Sequence, residues 1–169
     1  LIRETLLVLG NREQDMIAGQ IGLFLKALHS VPIKALKTAH ISDSPAARTR
    51  EDFLTEYERL RQKVYAYCDS GTRDSISHIF QQFTEDESFL EYRPALIHAG
   101  LIPRHIVYDK ESKRINAITG FGRSGFGDPA YDLSVLMNHF GETFLKKVAR
   151  YYPFRDDMVN RARFYVLND

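Results

Sequence analysis

The segment from residue 94 to 134 holds the residues whose types and order suggest chemistry. His98 directly follows a short apolar run, and His105 comes seven residues later. A glycine-rich turn then spans residues 120–127 and ends at Asp128, which precedes a proline. This order of apolar run, loop, hairpin, glycine-rich turn and helix start is typical of a catalytic core.

Short β-rich runs should position these residues. The run 95–97 predicts a buried strand, and the runs 105–108 and 115–118 predict a hairpin with a polar turn between them. Pro129 suits the first position of a helix whose cap is Asp128. The expected β structure is therefore a short strand and one small hairpin.

The rest of the chain predicts amphipathic helices packed around this segment. An apolar face predicts a helix over about residues 12–29, with Asn11 and Gln14 as a capping box. His29 lies next to that face and is interpreted as a core or capping histidine in preference to a catalytic one. Residues 33–48 lack a helical period and predict a loop. Further helices are expected over about residues 49–70, 73–85, 129–140, 144–152 and from 155 onwards.

Two features of the helices before residue 94 leave alternatives open. One is an apolar stripe whose helical spacing favours a core face over a substrate groove. It consists of Phe53, Tyr57, Leu60, Val64 and Tyr67 with Cys68, and the next helix continues with Ile76, Ile79, Phe80 and Phe83. The other is the acidic run 85–87, interpreted as a solvated helix end in preference to a cation-binding edge.

The composition narrows the class of protein. A chain of 169 residues suits one ordinary domain or one lobe of a larger protein. With 23 basic and 22 acidic side chains, nucleic acid and membrane surfaces are not expected partners. The single cysteine, Cys68, fits a reducing compartment or an unreactive core thiol, and we expect a cytoplasmic protein. No apolar run approaches the roughly 20 residues that span a bilayer, and the first ten residues do not resemble a signal peptide.

The segment 96–134 resembles the catalytic core of the aminoglycoside phosphotransferase family, whose relatives include the choline kinases. Members read His-Gly-Asp-Leu, then Asn or His, a hairpin, Ile-Asp-Phe-Gly-Asp and a closing Gly-Asp-Pro-Ala-Tyr-Asp-Leu. This chain reads His-Ala-Gly-Leu from His98, a histidine at 105, Thr-Gly-Phe-Gly-Arg from Thr119, and the complete closing motif from Gly127. The resemblance implies an α+β, mainly helical fold. It would be a kinase-like C-terminal lobe of about six helices, with a small hairpin carrying the catalytic-loop and metal-loop positions.

The resemblance also implies a domain assignment. Residues 1–169 would form a single C-terminal lobe, the part that holds the acceptor substrate and the catalytic loop in the family. The N-terminal nucleotide lobe, with its β-sheet and phosphate-pairing lysine, is expected to be absent. Because the sequence begins without Met and stops within a predicted helix, we expect a piece of a longer chain.

The chain departs from the family at the residues that carry its chemistry. The Asp that activates the attacking hydroxyl corresponds to Gly100, and the Asp that binds magnesium corresponds to Gly120. A glycine has no side chain to accept a proton or bind a metal. His105 stands at the metal-binding Asn position, where some branches of the family also have His. Arg123 stands at an often acidic position, where a guanidinium could bind a phosphate or substrate anion directly but would repel Mg²⁺.

The implied site residues fall into four groups. The catalytic positions are His98, Gly100 and Arg104; the cofactor-binding position is Arg123; the metal positions are His105 and Gly120; the structural positions are Asp128 and Asp132. Asp128 should cap a helix, and Asp132 should bind the backbone of the catalytic loop.

The resemblance implies Mg²⁺ and ATP or GTP as cofactors of the family, although we expect neither to be bound by this chain alone. A small aminoglycoside-like molecule is the expected substrate, for which acidic residues at 85–87 and Glu91 could serve. The missing lobe or a second copy of the chain could cover exposed apolar surface. Two functions follow: an inactive lobe of a phosphotransferase-like protein, or a pseudokinase-type module that binds a small molecule or a protein.

Overall fold

The computed structural model describes residues 3–168, without the side chains of Arg3, Gln82, Phe83 and Asn168. The expected apolar position Phe83 therefore lies outside the described side chains. Eight α-helices are present in the described part: α1 Arg3–Val8, α2 Asn11–His29, α3 Ile33–Thr38, α4 Arg50–Lys63, α5 Ser70–Glu85, α6 Pro129–Phe140, α7 Glu142–Val148 and α8 Asp156–Asn168. Four short strands complete the fold: β1 Ala95–Ile97, β2 Ile106–Asp109, β3 Arg114–Ile118 and β4 Gly125–Gly127. The mainly helical α+β prediction is confirmed.

The chain divides into two compact units. The first comprises residues 1–47 and 94–169, and the second comprises residues 48–93. Among the described residues, no helix combines the length and the apolar character that crossing a membrane would require.

Helix α2 forms one wall of the first unit. Ile17, Ile21 and Leu25 are fully buried along it. The predicted apolar face contained the first two with Phe24 and Leu28, which are half-buried. Its start differs from the predicted capping box, because the Glu13 carboxylate accepts the Gly10 N–H at 3.2 Å. Gln14 instead donates to two carbonyl groups at the end of α1. The cap therefore lies one residue earlier than predicted.

The prediction of a loop over residues 33–48 was wrong for residues 33–38, which form α3. Pro32 leads into α3, whose six residues are too few to show a clear apolar period. Leu36 is the buried position of this helix. A short helix with one anchoring side chain leaves little signal in a sequence.

The glycine-rich turn contains a strand that the sequence did not indicate. Residues 125–127 form β4, which pairs antiparallel with β1, while β2 and β3 pair as the predicted hairpin. A Cβ atom on Gly125 would lie 2.5 Å from the backbone nitrogen of Ser44 and 2.6 Å from the Ser42 carbonyl oxygen. Only glycine permits this approach. Gly125, which the sequence assigned to a turn, therefore allows the backbone of residues 42–44 to pack against β4.

The second unit, residues 48–93, contains α4 and α5. Thr49 and Asp52 form the capping box that the sequence predicts, with Asp52 N–H donating to Thr49 Oγ1 at 3.2 Å. Helix α4 ends at Lys63, earlier than predicted, and a 3₁₀ turn follows over Tyr65–Tyr67. Helix α5 begins at Ser70, three residues before the predicted start, because the Asp69 carboxylate accepts the Thr72 N–H at 2.8 Å.

The apolar stripe of this unit is only partly a core face. Phe53 is buried, and the Tyr57 ring stacks on Phe80 at 4.6 Å. Tyr67 is 89% exposed. It follows the end of α4, so the helical spacing that would bring it onto the stripe no longer applies.

Candidate functional site

A pocket of about 450 Å³ lies in the first unit, where the catalytic-loop and glycine-turn segments meet α6. The loop after β1 contributes residues 99–105, and the turn after β3 contributes residues 120–123. Helix α6 supplies the opposite wall, which includes Ser134, Asn138 and His139. Five positions that the sequence assigned to the site therefore come together here: Gly100, Arg104, His105, Gly120 and Arg123.

Asp132 holds the start of the catalytic loop. Its two carboxylate oxygens accept the backbone N–H groups of His98 and Ala99 at 2.9 and 2.8 Å. Ala99 has φ of 55°, a left-handed conformation that a non-glycine residue adopts at some cost in energy. The carboxylate is fully buried and orients both peptide groups. These are the backbone hydrogen bonds that the resemblance implies for this residue.

His29 supports Asp132 from the end of α2. Its Nε2–H donates to the Asp132 Oδ2 at 3.0 Å, and its Nδ1 lies 3.0 Å from the Tyr152 hydroxyl. In the neutral imidazole, Tyr152 donates to Nδ1. Burial and the nearby carboxylates raise the pKa of Tyr152, which keeps its hydroxyl protonated. His29 thus has the packing role that its sequence position favours.

His98 is fully buried beneath the pocket. Its Nε2–H donates to the Thr119 carbonyl at 2.9 Å, and its ring packs 4.6 Å from the Phe121 ring centroid. Its Nδ1 has no hydrogen-bond partner among the described residues. Burial lowers the pKa of His98 despite the opposing charge of Asp132. His98 therefore links the catalytic loop to the end of the hairpin as a neutral imidazole.

His105 and Gly120 occupy the space of the expected metal site. His105 Nδ1–H donates to the Gly100 carbonyl at 2.6 Å. Gly120 has φ of 84°, and a Cβ atom placed on it would lie 2.5 Å from both Cγ and Cε1 of His105. A side chain at 120 cannot coexist with this position of the imidazole ring.

The residues of the pocket do not fit a magnesium ion. Mg²⁺ requires oxygen ligands in near-octahedral geometry. No Asp or Glu lines the pocket. Within the described part of the chain, no group of three or more His, Cys, Asp or Glu side chains is arranged to hold a metal ion.

Gly100 differs from Gly120 in the space around it. A Cβ atom on Gly100 would lie 3.8 Å from the Gly120 carbonyl oxygen and from His98 Nδ1, and 3.9 Å from His105 Nδ1. These are ordinary van der Waals distances. The pocket could therefore accommodate a side chain at position 100.

The two arginines of the pocket come from short 3₁₀ turns, Arg104 from Pro103–His105 and Arg123 from Phe121–Arg123. Both side chains are exposed, and neither has an ion-pair or hydrogen-bond partner in the described structure. The Arg123 carbonyl accepts the hydroxyl of the buried Ser44 at 2.7 Å. Beyond its place in a predicted loop, Ser44 carries no sequence signal for this role.

Asp128 caps α6 and also anchors α8. Its carboxylate accepts the Ala130 N–H at 2.9 Å, which is the predicted cap. It further accepts Arg161 Nε–H at 2.6 Å and the Tyr165 hydroxyl at 3.0 Å. Arg161 is buried, and its position one residue before the buried Ala162, on the apolar face of α8, is a signal that could have identified it.

The acidic residues before β1 lie in the second unit. Glu85, Asp86, Glu87 and Glu91 are all exposed. Asp86 accepts the Ser88 N–H at 2.9 Å, as in a polar turn after a helix. This environment is that of a solvated helix end, the interpretation that the sequence favours.

Comparison with solved structures defines the class of protein. The GDP and kanamycin complex of APH(2")-IIIa is 25% identical, with a TM-score of 0.83, and the match covers 98% of this chain and 56% of that one. The GDP complex of wild-type aminoglycoside 2'-phosphotransferase-IIIa is similar in fold, with a TM-score of 0.85, 24% identity and the same coverage of both chains. Macrolide 2'-phosphotransferase MphH from Brachybacterium faecium has a TM-score of 0.63 at 20% identity over 89% of this chain and 50% of that one. A search of curated protein sequences found no match.

The fold is therefore that of a kinase-like phosphotransferase. The model of the phosphotransferase enzyme family matches residues 2–165, and the chain belongs to that family. It spans just over half the length of the first two solved structures described above.

Proposed function

We propose that residues 1–169 correspond to the catalytic and substrate lobe of a phosphotransferase-like protein, and that this lobe does not transfer phosphate as it stands. The family reaction would be ATP- or GTP-dependent transfer to a hydroxyl of a small polar molecule. The observation that carries the proposal is the pair of glycines at positions 100 and 120, with the His105 ring against the second.

The physical reason lies in what phosphoryl transfer requires. Catalysis depends on positioning and on neutralising the charge of the phosphate oxygens, with metal ions supplying much of that charge. A glycine at position 100 cannot accept a proton, and the residues around position 120 supply no carboxylate. The roles of His98, Arg104 and Arg123 are then to shape the pocket and to set its charge.

The test is a phosphate-transfer assay with radiolabelled ATP and GTP, Mg²⁺, and kanamycin as acceptor. We expect no product above the rate without protein. The His105→Ala variant identifies any contaminating kinase, because a contaminant would be unaffected by it. Transfer that the wild-type chain catalyses and His105→Ala abolishes would refute the proposal.

A second function is favoured by the pocket itself. About 450 Å³ of space remains in a loop framework held by Asp132 and Ser44, although its catalytic carboxylates are replaced. A framework of this kind suits a pseudokinase-type module that binds a small molecule. Ligand binding without turnover, measured by calorimetry, would support this function.

A further inference from the structure

The charges around the pocket indicate which ligands it would accept. Its lining contains two arginines, Arg104 and Arg123, two histidines, His105 and His139, and no acidic residue. Burial lowers the pKa of His139, and the charge of Arg104 lowers it further. The cationic field in the pocket therefore comes mainly from the two arginines, which stay charged at any ordinary pH.

These two guanidinium groups are available to a ligand. Neither has an internal partner in the described structure, whereas the buried Arg161 is bound by Asp128 at 2.6 Å. They also sit on two different loops, one before β2 and one after β3. A ligand that contacts both would connect the loops through planar donor groups, which suit carboxylate and phosphate oxygens.

Gly100 leaves open space in the same pocket. The space beside Gly100, at 3.8–3.9 Å, is bordered by imidazole nitrogens of His98 and His105 and by the Gly120 carbonyl. The His98 Nδ1 among these atoms is buried and lacks a partner in the described part of the chain. As the lone-pair nitrogen of a neutral imidazole, it can accept a hydrogen bond from a hydroxyl or a water molecule.

We propose that this pocket binds the phosphate or carboxylate group of a small anionic molecule directly, through Arg104 and Arg123 and without a divalent metal. This rests on the second function proposed above, the binding module. A ligand rich in protonated amines, such as kanamycin, would be repelled by the same arginines. The pocket would thus prefer the opposite charge to that of an aminoglycoside.

The test is calorimetric titration of the whole chain with pyrophosphate, citrate and kanamycin in buffer containing EDTA. We expect pyrophosphate or citrate to bind and kanamycin not to bind. Pyrophosphate without citrate would identify a phosphate site, and citrate without pyrophosphate a carboxylate site. The affinity should fall as NaCl is raised, because salt screens exposed charges.

Three variants locate the binding. Arg104→Gln and Arg123→Gln should each weaken it by about tenfold or more, the usual effect of losing a charged hydrogen bond. Arg114→Gln is the matched control, since the Arg114 side chain is exposed, lies outside the pocket and makes no ion pair or hydrogen bond in the described structure. It should change the affinity by less than about twofold. All three positions are exposed, so the variants should fold normally.

The inference would be overturned by binding of neither anion in EDTA, including the case in which binding appears only when excess Mg²⁺ replaces EDTA in a parallel titration. It would also be overturned by anion binding that both pocket variants leave unchanged. Tighter binding of kanamycin than of either anion would also overturn it, while leaving a binding module in place. Phosphate transfer in the separate assay would refute the inactive-lobe proposal without bearing on anion affinity.

Discussion

At the scale of single residues, the two glycines of the site are not equivalent. Gly120 adopts a left-handed conformation with φ of 84°, and the His105 ring lies where its side chain would be. Gly100 has ordinary space around its missing Cβ atom. A glycine at 120 and a histidine at 105 are therefore coupled by sterics, whereas position 100 is independent of them.

Substituting Gly120 should reveal this coupling. We expect Gly120→Ala to lower the free energy of unfolding by about 2–3 kcal/mol, through the left-handed φ and the contact with the imidazole. In a double-mutant cycle with His105→Ala, the steric part should be relieved, which gives a coupling energy of about 1–2 kcal/mol. Urea unfolding monitored by circular dichroism measures each term.

Gly100→Ala is the matched control for this cycle. It should change the stability by less than about 1 kcal/mol, because no close contact forms at that position. Strict additivity of Gly120→Ala and His105→Ala would show that the two residues do not compete for space.

Protonation of the buried His98 and the half-buried His139 should make the stability depend on pH. Burial lowers the pKa of His98 and of His139 in the folded chain, with Asp132 opposing and His105 reinforcing the effect at His98. The unfolded chain therefore takes up protons first as the pH falls below about 6.5, the ordinary value for histidine. Stability should be fully present above that pH and decline as the pH falls towards the folded pKa values.

Urea unfolding between pH 8 and pH 5 tests this dependence. The His139→Asn variant should show a shallower loss of stability over that range. His78→Asn, at an exposed helix position of the second unit, should leave the slope unchanged. A wild-type stability that is flat or rises as the pH falls from 7 to 5 would contradict the assignment.

At the scale of elements, α6 organises the site. Its Asp132 binds the loop after β1 and the histidine at the end of α2, and its N-cap Asp128 binds α8. The helix therefore holds the start of the catalytic loop through Asp132 and forms one wall of the pocket. Both structural positions of the closing motif, Asp128 and Asp132, therefore belong to this helix or its cap.

Removing the Asp132 carboxylate should destabilise the first unit strongly. In Asp132→Ala, two backbone N–H groups and His29 Nε2–H would lose their acceptor in a fully buried position. We expect a loss of about 3–5 kcal/mol in the free energy of unfolding. Glu111→Ala, at an exposed turn position, should stay within about 0.5 kcal/mol. Similar losses for the two variants would contradict the role given to Asp132.

The sequence predicted the elements whose signals are local. The apolar face of α2, the Thr49 cap and the strand before His98 all depend on spacing or on a single capping residue. The pairing of β4 with β1 was missed because its glycines carry no strand propensity and act through close approach, Gly125 to the backbone of Ser44 and Gly127 to the Ile97 side chain. Arg161 was missed because its partner, Asp128, lies 33 residues earlier. The closing motif pointed to the segment that lines the pocket. The contact between His105 and Gly120 could not be predicted, because it depends on the position of the imidazole ring in the folded chain.

At the scale of the whole molecule, the chain keeps the fold of the family, while no Asp or Glu lines its pocket. The fold matches aminoglycoside phosphotransferase structures over nearly all of this chain. The loop framework is held by Asp132, His29 and Ser44, and the pocket has glycines at positions 100 and 120. The chain therefore has a phosphotransferase fold whose pocket is lined by arginines and histidines and lacks carboxylate ligands for a divalent metal.

Manganese binding tests this central claim most directly, because Mn²⁺ occupies oxygen-ligand sites similar to those of Mg²⁺. The free Mn²⁺ signal would be followed by electron paramagnetic resonance during titration of the wild-type chain, His105→Ala and the exposed control His78→Ala. We predict no site tighter than about 1 mM, with weak binding that is the same in all three proteins. One equivalent of tightly bound Mn²⁺ that His105→Ala weakens tenfold or more, and His78→Ala does not, would contradict the account.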